Sequence, residues 1–323
     1  MDLAIIIVNY NCGTELLECV QSIESSLAEI PASGEIIIVD NDSMDDSIEL
    51  IEENAPRVRI VRLEANMGFA VACNAGARAT KARLLLFLNP DTIMNPNALQ
   101  SMIEELDTVA LPKIVGCTLN YQDGGLQYSI FVNDPCFLSV FLDRALIGSL
   151  IKKINPRWSF PGQTYLTDKE KYDHRLKTKL LSGACLMMSH KDFELVGGFD
   201  ENFFMYYEDV DLCRRIREAG GEVVYIPTEP VIHYQGNSAK LQSMIFRASI
   251  VLDSLEKYYR KYYGSWATLG LIICFFADIL GSIPSILAWI FLANKRDKTS
   301  KVLKGNICSL LCHLKRWTRG SYA

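Results

Sequence analysis

The sequence predicts an α/β protein built on a Rossmann-like, mostly parallel sheet flanked by helices. Four short apolar runs each end in a polar turn and then pass into a helical pattern. Repeated β-then-α units of this kind bring parallel strands together through right-handed crossovers. No GxGxxG follows the first run, which speaks against an ordinary dinucleotide fold.

The first unit is the strand Leu3–Val8, the turn Asn9-Tyr10-Asn11 and a helix through Leu16, Leu17, Val20 and Ile23. The second is Glu35–Val39, stopping at Asp40-Asn41-Asp42-Ser43, with a helix through Ile48, Leu50 and Ile51 whose early acids suit its dipole. Val58–Leu63 leads through Asn66-Met67-Gly68-Phe69 into a small-residue helix, Ala70–Ala79. Arg83–Leu88 ends at Asn89-Pro90-Asp91. Ligands of open α/β sheets bind outside the carboxyl ends of the strands, so these four turns are expected to converge on one site. From Pro112 to Lys179 the pattern is irregular and reads as strands and loops. Regular signals resume at Leu180–Met188, then a helix from about Asp209 to Ala219 and a strand Glu222–Ile226 before His233.

Composition narrows the class. With 49% hydrophobic and 22% charged residues among 323, the chain is neither disordered nor collagen-like. None of the ten cysteines forms a CxxC pair, so they read as small buried hydrophobes of a reducing compartment. The N-terminus, MDLAIIIVNYN, lacks the basic region of a signal peptide, and a cytoplasmic location is expected.

The densest cluster of chemistry runs from Gly198 to Arg215. Asp200, Glu201, Glu208, Asp209 and Asp211 are interleaved there with Phe203, Phe204, Tyr206 and Tyr207. A solvated helix face would not carry that many aromatics, so a pocket is expected in which a carboxylate acts as base toward a hydroxyl. Part of the cluster has a structural reading as well, since Asp211 and Arg215 can pair one helical turn apart. Asn89-Pro90-Asp91 at a strand's end can hold a cation through oxygen, although a turn or helix cap is the plainer reading of the tripeptide.

The ordered series Val8–Asn11, Val39–Asp45, Asn66–Phe69 with Asn74 and Gly76, Leu88–Asp91, Ser182-Gly183-Ala184-Cys185 and Gly198–Arg215 resembles glycosyltransferase family 2. Within it the series is most similar to bacterial rhamnosyltransferase-like enzymes, over residues 1 to about 240. The resemblance implies a GT-A fold and an inverting, metal-dependent transfer of a sugar, L-rhamnose from TDP-rhamnose foremost, from a nucleotide-sugar donor to a hydroxyl of a lipid-linked cell-surface glycan. By position, Asn9, Tyr10 and Asp40 would hold the base and ribose, with Asn66, Gly68 and Asn89 also on the nucleotide. Asn89-Pro90-Asp91 stands where the family has its DXD motif. Asp91 would therefore meet the divalent cation, Mg²⁺ or Mn²⁺, and His233 matches a histidine that ligates it in some relatives. Glu208-Asp209 matches the ED pair, with Asp209 as base; an aspartate of ordinary pKa, about 3.9, is ionised at neutral pH.

Past the motifs, Trp266–Ala293 is a 28-residue stretch whose only charge is Asp278. From Asn294 onward there are eight basic residues and one acid. A spanning helix needs about 20 apolar residues, but Asp278, Gly281 and Pro284 fall in the middle. Two shorter helices joined near Gly281–Pro284 and lying in the interface are expected, with Trp266 and Trp289 in the interfacial belt and the basic tail on anionic lipid. The alternative is a helical hairpin buried on the protein or in a dimer.

The expected organisation is a catalytic domain over 1–240 (1–115 nucleotide-sugar half, 116–240 acceptor half) and a membrane-associating helical region over 241–323, at the cytoplasmic face of the cell membrane. The expected partners are the donor, the lipid-linked acceptor and the membrane surface, without nucleic acid; a homo-oligomer is left open. The competing readings are another donor, such as a UDP-hexose or UDP-galactofuranose, and a non-catalytic membrane-anchored nucleotide-sugar-binding scaffold.

Overall fold

The computed structural model describes residues 1–108, 111–145, 166–234, 244–291, 307–308 and 310–314. Two compact units are present: Met1–Phe131 with Tyr165–Leu241, and Val132–Thr164 with Gln242–Ala323. The described residues 132–145 thus group with the C-terminal helices.

The first unit is organised by strand β1 (Leu3–Asn9), all seven of whose residues are buried. A strand covered on both faces has no solvated side, so its sequence is a continuous β-branched run instead of an alternation. It pairs in parallel with β2 (Gly34–Asp40), which pairs with β3 (Arg59–Arg62), and on its other side with β4 (Leu84–Leu88). Helices α1 (Gly13–Glu29), α2 (Ser47–Asn54) and α3 (Phe69–Arg78) make the crossovers. Helix α1 buries Leu16, Cys19, Val20 and Ile23, the one-face spacing of an amphipathic helix. After a short β5 (Thr92–Ile93) comes α4 (Pro96–Leu106). The Asn95 side chain caps α4 by accepting from the Asn97 amide at 2.9 Å, and proline stands at its first position.

The sheet continues with β6 (Lys113–Gly116), β11 (Cys185–Ser189) and β12 (Glu222–Tyr225), in the order β3-β2-β1-β4-β11-β6-β12, and ends on β9 (Leu176–Thr178). Strand β11 is antiparallel to both neighbours, so its first residue, Cys185, lies opposite Leu88 at the end of β4. The Ser182-Gly183-Ala184 turn therefore sits at the same edge as the four carboxyl-end turns. A second small sheet joins β5, β13 (Val231–His233) and β7 (Leu119–Asn120). The irregular middle contributes β6, β7, β8 (Ile130–Phe131) and β9, and β8 pairs with β10 (Leu180–Leu181) just beyond it.

In the second unit, α5 (Phe137–Arg144) accompanies α8 (Met244–Tyr263) and α9 (Ala267–Phe291). The expected break near Gly281–Pro284 is corrected by the structure. Helix α9 runs through both residues, and the chain turns earlier, at the 3-10 turn Gly264–Trp266. A glycine and a proline cost a helix about 1 and 3 kcal/mol. Packing opposes that cost at the expected break itself, where Gly281 and Ser282 are both buried. The basic residues from Lys295 to Arg319 and the side chain of Trp289 lie outside the described residues.

Candidate active site

Register brings the predicted residues to one edge. Asn9 ends β1 opposite Asp40, the last residue of β2. The Asn9 Nδ2 donates to Asp40 Oδ1 at 3.1 Å, and lies 2.9 Å from Ser43 Oγ and 2.8 Å from Ser47 Oγ. Tyr10 follows, half-buried. The turn is braced by two residues to which the sequence reading gave no role. Asn11, at φ +54°, accepts from the Met44 amide at 2.7 Å, and Asp45 accepts from the Gly13 amide at 2.8 Å.

A second brace ties the end of β2 to the entry of α3. Asn41 Nδ2 donates to Asn66 Oδ1 at 3.0 Å, while its Oδ1 accepts from the Met67 amide at 2.8 Å. Asn66 Oδ1 also takes the Gly68 amide at 3.1 Å. Gly68 has φ +89°, and a Cβ there would stand 2.4 Å from the Phe204 carbonyl oxygen. Only glycine allows the Phe69 amide to reach that carbonyl, at 2.7 Å. This contact joins the Asn66–Phe69 turn to the Gly198–Arg215 cluster. Asn74 adds to it by exchanging two hydrogen bonds with the Phe199 backbone, at 2.8 and 2.9 Å.

The third group is Asn89, Asp91 and His233. Pairing of β13 with β5 sets His233 opposite Thr92, and the Tyr234 amide donates to the Asp91 carbonyl at 2.9 Å. His233 Nε2 lies 3.3 Å from Asp91 Oδ1 and 3.2 Å from Asn89 Nδ2, and both His233 and Asp91 are buried. On the ring's other side, Nδ1 donates to Gln127 Oε1 at 3.1 Å. With the proton on Nδ1, the Nε2 lone pair faces both Asn89 Nδ2, a donor, and the Asp91 carboxylate. Nε2 and a carboxylate oxygen side by side are two donor atoms that a divalent cation can take up. An imidazole nitrogen beside a carboxylate oxygen suits a transition ion such as Mn²⁺ better than Mg²⁺, which prefers oxygen alone. Among the described residues no three His, Cys, Asp or Glu side chains converge, so the chain alone offers an open, partial shell. Gln127 was missed because it lies in the irregular middle, where no periodicity marks it. Only the pairing of β13 with β7 brings it near.

The fourth group opens α7 (Glu208–Glu218). Tyr206 and Tyr207 precede it at φ +67° and +70°, two consecutive left-handed residues that turn the chain sharply into the helix. Asp209 accepts from the Gly183 amide through Oδ2 and from the Val210 amide through Oδ1, both at 2.8 Å. The carboxylate is thereby held against the turn that antiparallel β11 delivers to this edge. A Cβ on Gly183 would lie 3.2 Å from Asp209 Oδ2, which explains the glycine in a motif whose role was unassigned. Glu208 is buried, and its Oε2 finds no hydrogen-bond partner among the described residues. Burial pushes both carboxyls above the usual range, Glu208 well above it with the neighbouring Asp209 charge adding to the rise. The ordinary pKa expected for Asp209 is thus replaced by a higher one, which makes a stronger base.

The remaining members of the cluster divide between core and scaffold. Phe199 and Phe203 are fully buried, and Phe199 packs edge-on against Phe87 at 4.9 Å, so these two belong to the core and not to a pocket wall. Asp211 pairs with Arg215 at 2.7 Å, as its spacing predicted. Burial pushes the Cys12 and Cys19 thiols, beside these turns, up to about 12, and neither is a thiolate at neutral pH.

A mostly parallel βαβ sheet with two reversed strands, β11 and the edge strand β9, polar turns gathered at its carboxyl edge and an acidic pair beside them define a GT-A-type α/β domain. Two solved structures share the fold: a mannosyltransferase of Pyrobaculum calidifontis in complex with GDP-Man and Mn²⁺ (TM-score 0.56, 13% identity, 97% of this chain and 86% of that one) and GalNAc-T7 with UDP, GalNAc and Mn²⁺ (0.54, 17%, 83% and 51%). The model of Glycosyl transferase family 2 matches residues 4–191, and the chain belongs to that family. A second model, described as the N-terminal domain of galactosyltransferase, matches residues 165–236. Among curated relatives, the N-acetylglucosaminyl-diphospho-decaprenol L-rhamnosyltransferase of Mycobacterium tuberculosis is 27% identical over 73% of this chain and 77% of its own length. Rhamnosyltransferase WbbL of Escherichia coli is 31% identical over 46% and 52%.

Proposed function

We propose that this glycosyltransferase moves a sugar, L-rhamnose from TDP-rhamnose foremost, onto a hydroxyl of a lipid-linked glycan with inversion, at the cytoplasmic face of the membrane. The observation that carries the reaction type is Asp209: a half-buried carboxylate of raised pKa, fixed by two backbone amides at the sheet edge where the strand-end turns gather. The acceptor oxygen attacks the anomeric carbon, its proton passes to Asp209, and the bond to the diphosphate breaks with the electron pair leaving on phosphate. Asn9, Tyr10, Asp40, Asn66, Gly68 and Asn89 bind the nucleotide, their turns held open by Asn41 and Asp45. Asp91 and His233 would hold a divalent cation, whose charge would stabilise the leaving diphosphate. Gln127 orients His233. Support for the sugar and for the lipid-linked acceptor comes from the names of the rhamnosyltransferase relatives. Support for the membrane comes from α9 and the basic tail.

The test is a donor panel. Thermal shift with TDP-, UDP- and GDP-sugars, with and without Mn²⁺, should rank TDP-rhamnose first and lose that rank with EDTA. A UDP- or GDP-sugar ranking first would overturn the donor, and an EDTA-independent shift would overturn the cation site.

A further inference from the structure

Helix α9 divides into two faces of opposite character. One is buried: Ala267, Leu271, Cys274, Ala277, Asp278 and Ser282. On this side Asp278 Oδ2 meets His313 Nε2 at 3.3 Å, and the His313 ring lies 5.6 Å from that of Phe275. Gly270 lies so close to Phe137 that a Cβ would stand 2.2 Å from its ring. The opposite face carries Leu269, Ile272, Phe276, Ile279, Leu280 and Ile283, each 36–55% exposed. From residue 269 to 283 every exposed side chain is one of these six, with no polar group among them. At 100° per residue they fall within a stripe about a quarter-turn wide.

We infer that this stripe is a lipid-docking face, and that α9 lies in the plane of an anionic bilayer surface instead of crossing it. A spanning helix meets hydrocarbon over much of its circumference, whereas α9 has committed one side, with its single charge, to protein. An interface between soluble copies would carry a polar rim beside its apolar centre, and no exposed polar residue borders this stripe between 269 and 283. Basic residues flank it at both ends, Arg260 and Lys261 before and Lys295, Arg296, Lys298, Lys301 and Lys304 after. Both ends of an in-plane helix reach the same anionic headgroups, while a crossing would carry one basic end to the far side. The inference deepens the membrane placement in the proposed function, but its test needs no sugar nucleotide, so docking and sugar transfer stand or fall separately.

The test uses the full chain with vesicles of phosphatidylcholine alone or mixed with phosphatidylglycerol, and a nitroxide amino acid placed at 269, 276 or 283. Collision with oxygen against a water-soluble nickel complex reports depth. The expected result is a similar shallow depth at all three positions, about 5–10 Å below the headgroups, with binding strengthened by phosphatidylglycerol. A spanning helix would separate 269 from 283 by about 20 Å in depth, at 1.5 Å per residue, and would overturn the inference. Labels that stay dry of lipid and broaden one another in free solution would overturn it in favour of a second copy. The double variant Phe276→Glu with Ile279→Glu changes only exposed positions and should keep its far-UV circular dichroism while losing at least tenfold in vesicle affinity. Unchanged affinity would also overturn it.

Discussion

Two polar regions at the same sheet edge are built on opposite principles. In the turns after β1, β2 and β3, most polar side chains answer one another: Asn9 Nδ2 with Asp40, Ser43 and Ser47, and Asn41 with Asn66 and the Met67 amide, with the neutral Asn9 Oδ1 left unpartnered among the described residues. At the head of α7 the pairing is incomplete, because Asp209 is anchored while the buried Glu208 Oε2 has no partner among the described residues. Paired neutral groups fix a shape, whereas setting two adjacent carboxyls away from water raises their basicity. The first region is built for fit and the second for reactivity, at a cost in stability.

The sharpest way to break this contrast is Asp209→Asn. It keeps the shape and removes the base, so kcat should fall by about 10²–10⁴ with nucleotide-sugar affinity nearly unchanged in calorimetry. Activity within a few-fold of wild type would move the base to Glu208.

Gln127→Leu should weaken Mn²⁺ binding about 10–100-fold, the usual effect of losing a bond that orients a ligating histidine. Electron paramagnetic resonance titration of Mn²⁺ in the presence of nucleotide reads this without turnover, and Gln127→Glu, which still accepts from Nδ1, should restore much of it. Equal Mn²⁺ affinity in all three proteins would remove Gln127 from the site.

Gly68→Ala tests the fit region. Both the left-handed backbone and the approach to Phe204 oppose it, so stability should drop by more than about 1 kcal/mol in urea unfolding, with donor affinity falling alongside.

Glu208→Gln should do the reverse and raise the melting temperature at neutral pH. The sign follows from its raised pKa: the folded state holds the proton more tightly than the unfolded one. The wild type therefore loses stability as pH climbs from the ordinary glutamate range towards the folded value, and the uncharged variant escapes that loss. The gain should vanish at pH below the ordinary glutamate range. A gain that persists there would mean packing, not ionisation, is responsible.

Much of the parallel half of the sheet was legible in the sequence. Fully buried parallel strands must be continuous apolar runs, and their polar ends must meet at one edge, so Asn9, Asp40, Asn66 and Asn89 could be placed from pattern and topology. The apolar stretch after Trp266 was equally plain, but its shape was not. Local propensity argued for a break at Gly281–Pro284, and the packing of the buried face outweighed it.

What the sequence determined by itself was local: strand and helix periodicity, the identity of the turn residues and the acidic-aromatic cluster. The tertiary structure alone decided which distant residues meet. Gln127 reaches His233 across 106 positions and Gly183 reaches Asp209 across 26. Both contacts depend on strands whose directions and partners no periodicity encodes. It also decided the basicity of the acidic pair, because a carboxyl's pKa follows its burial and its neighbours, and these exist only once the chain has folded.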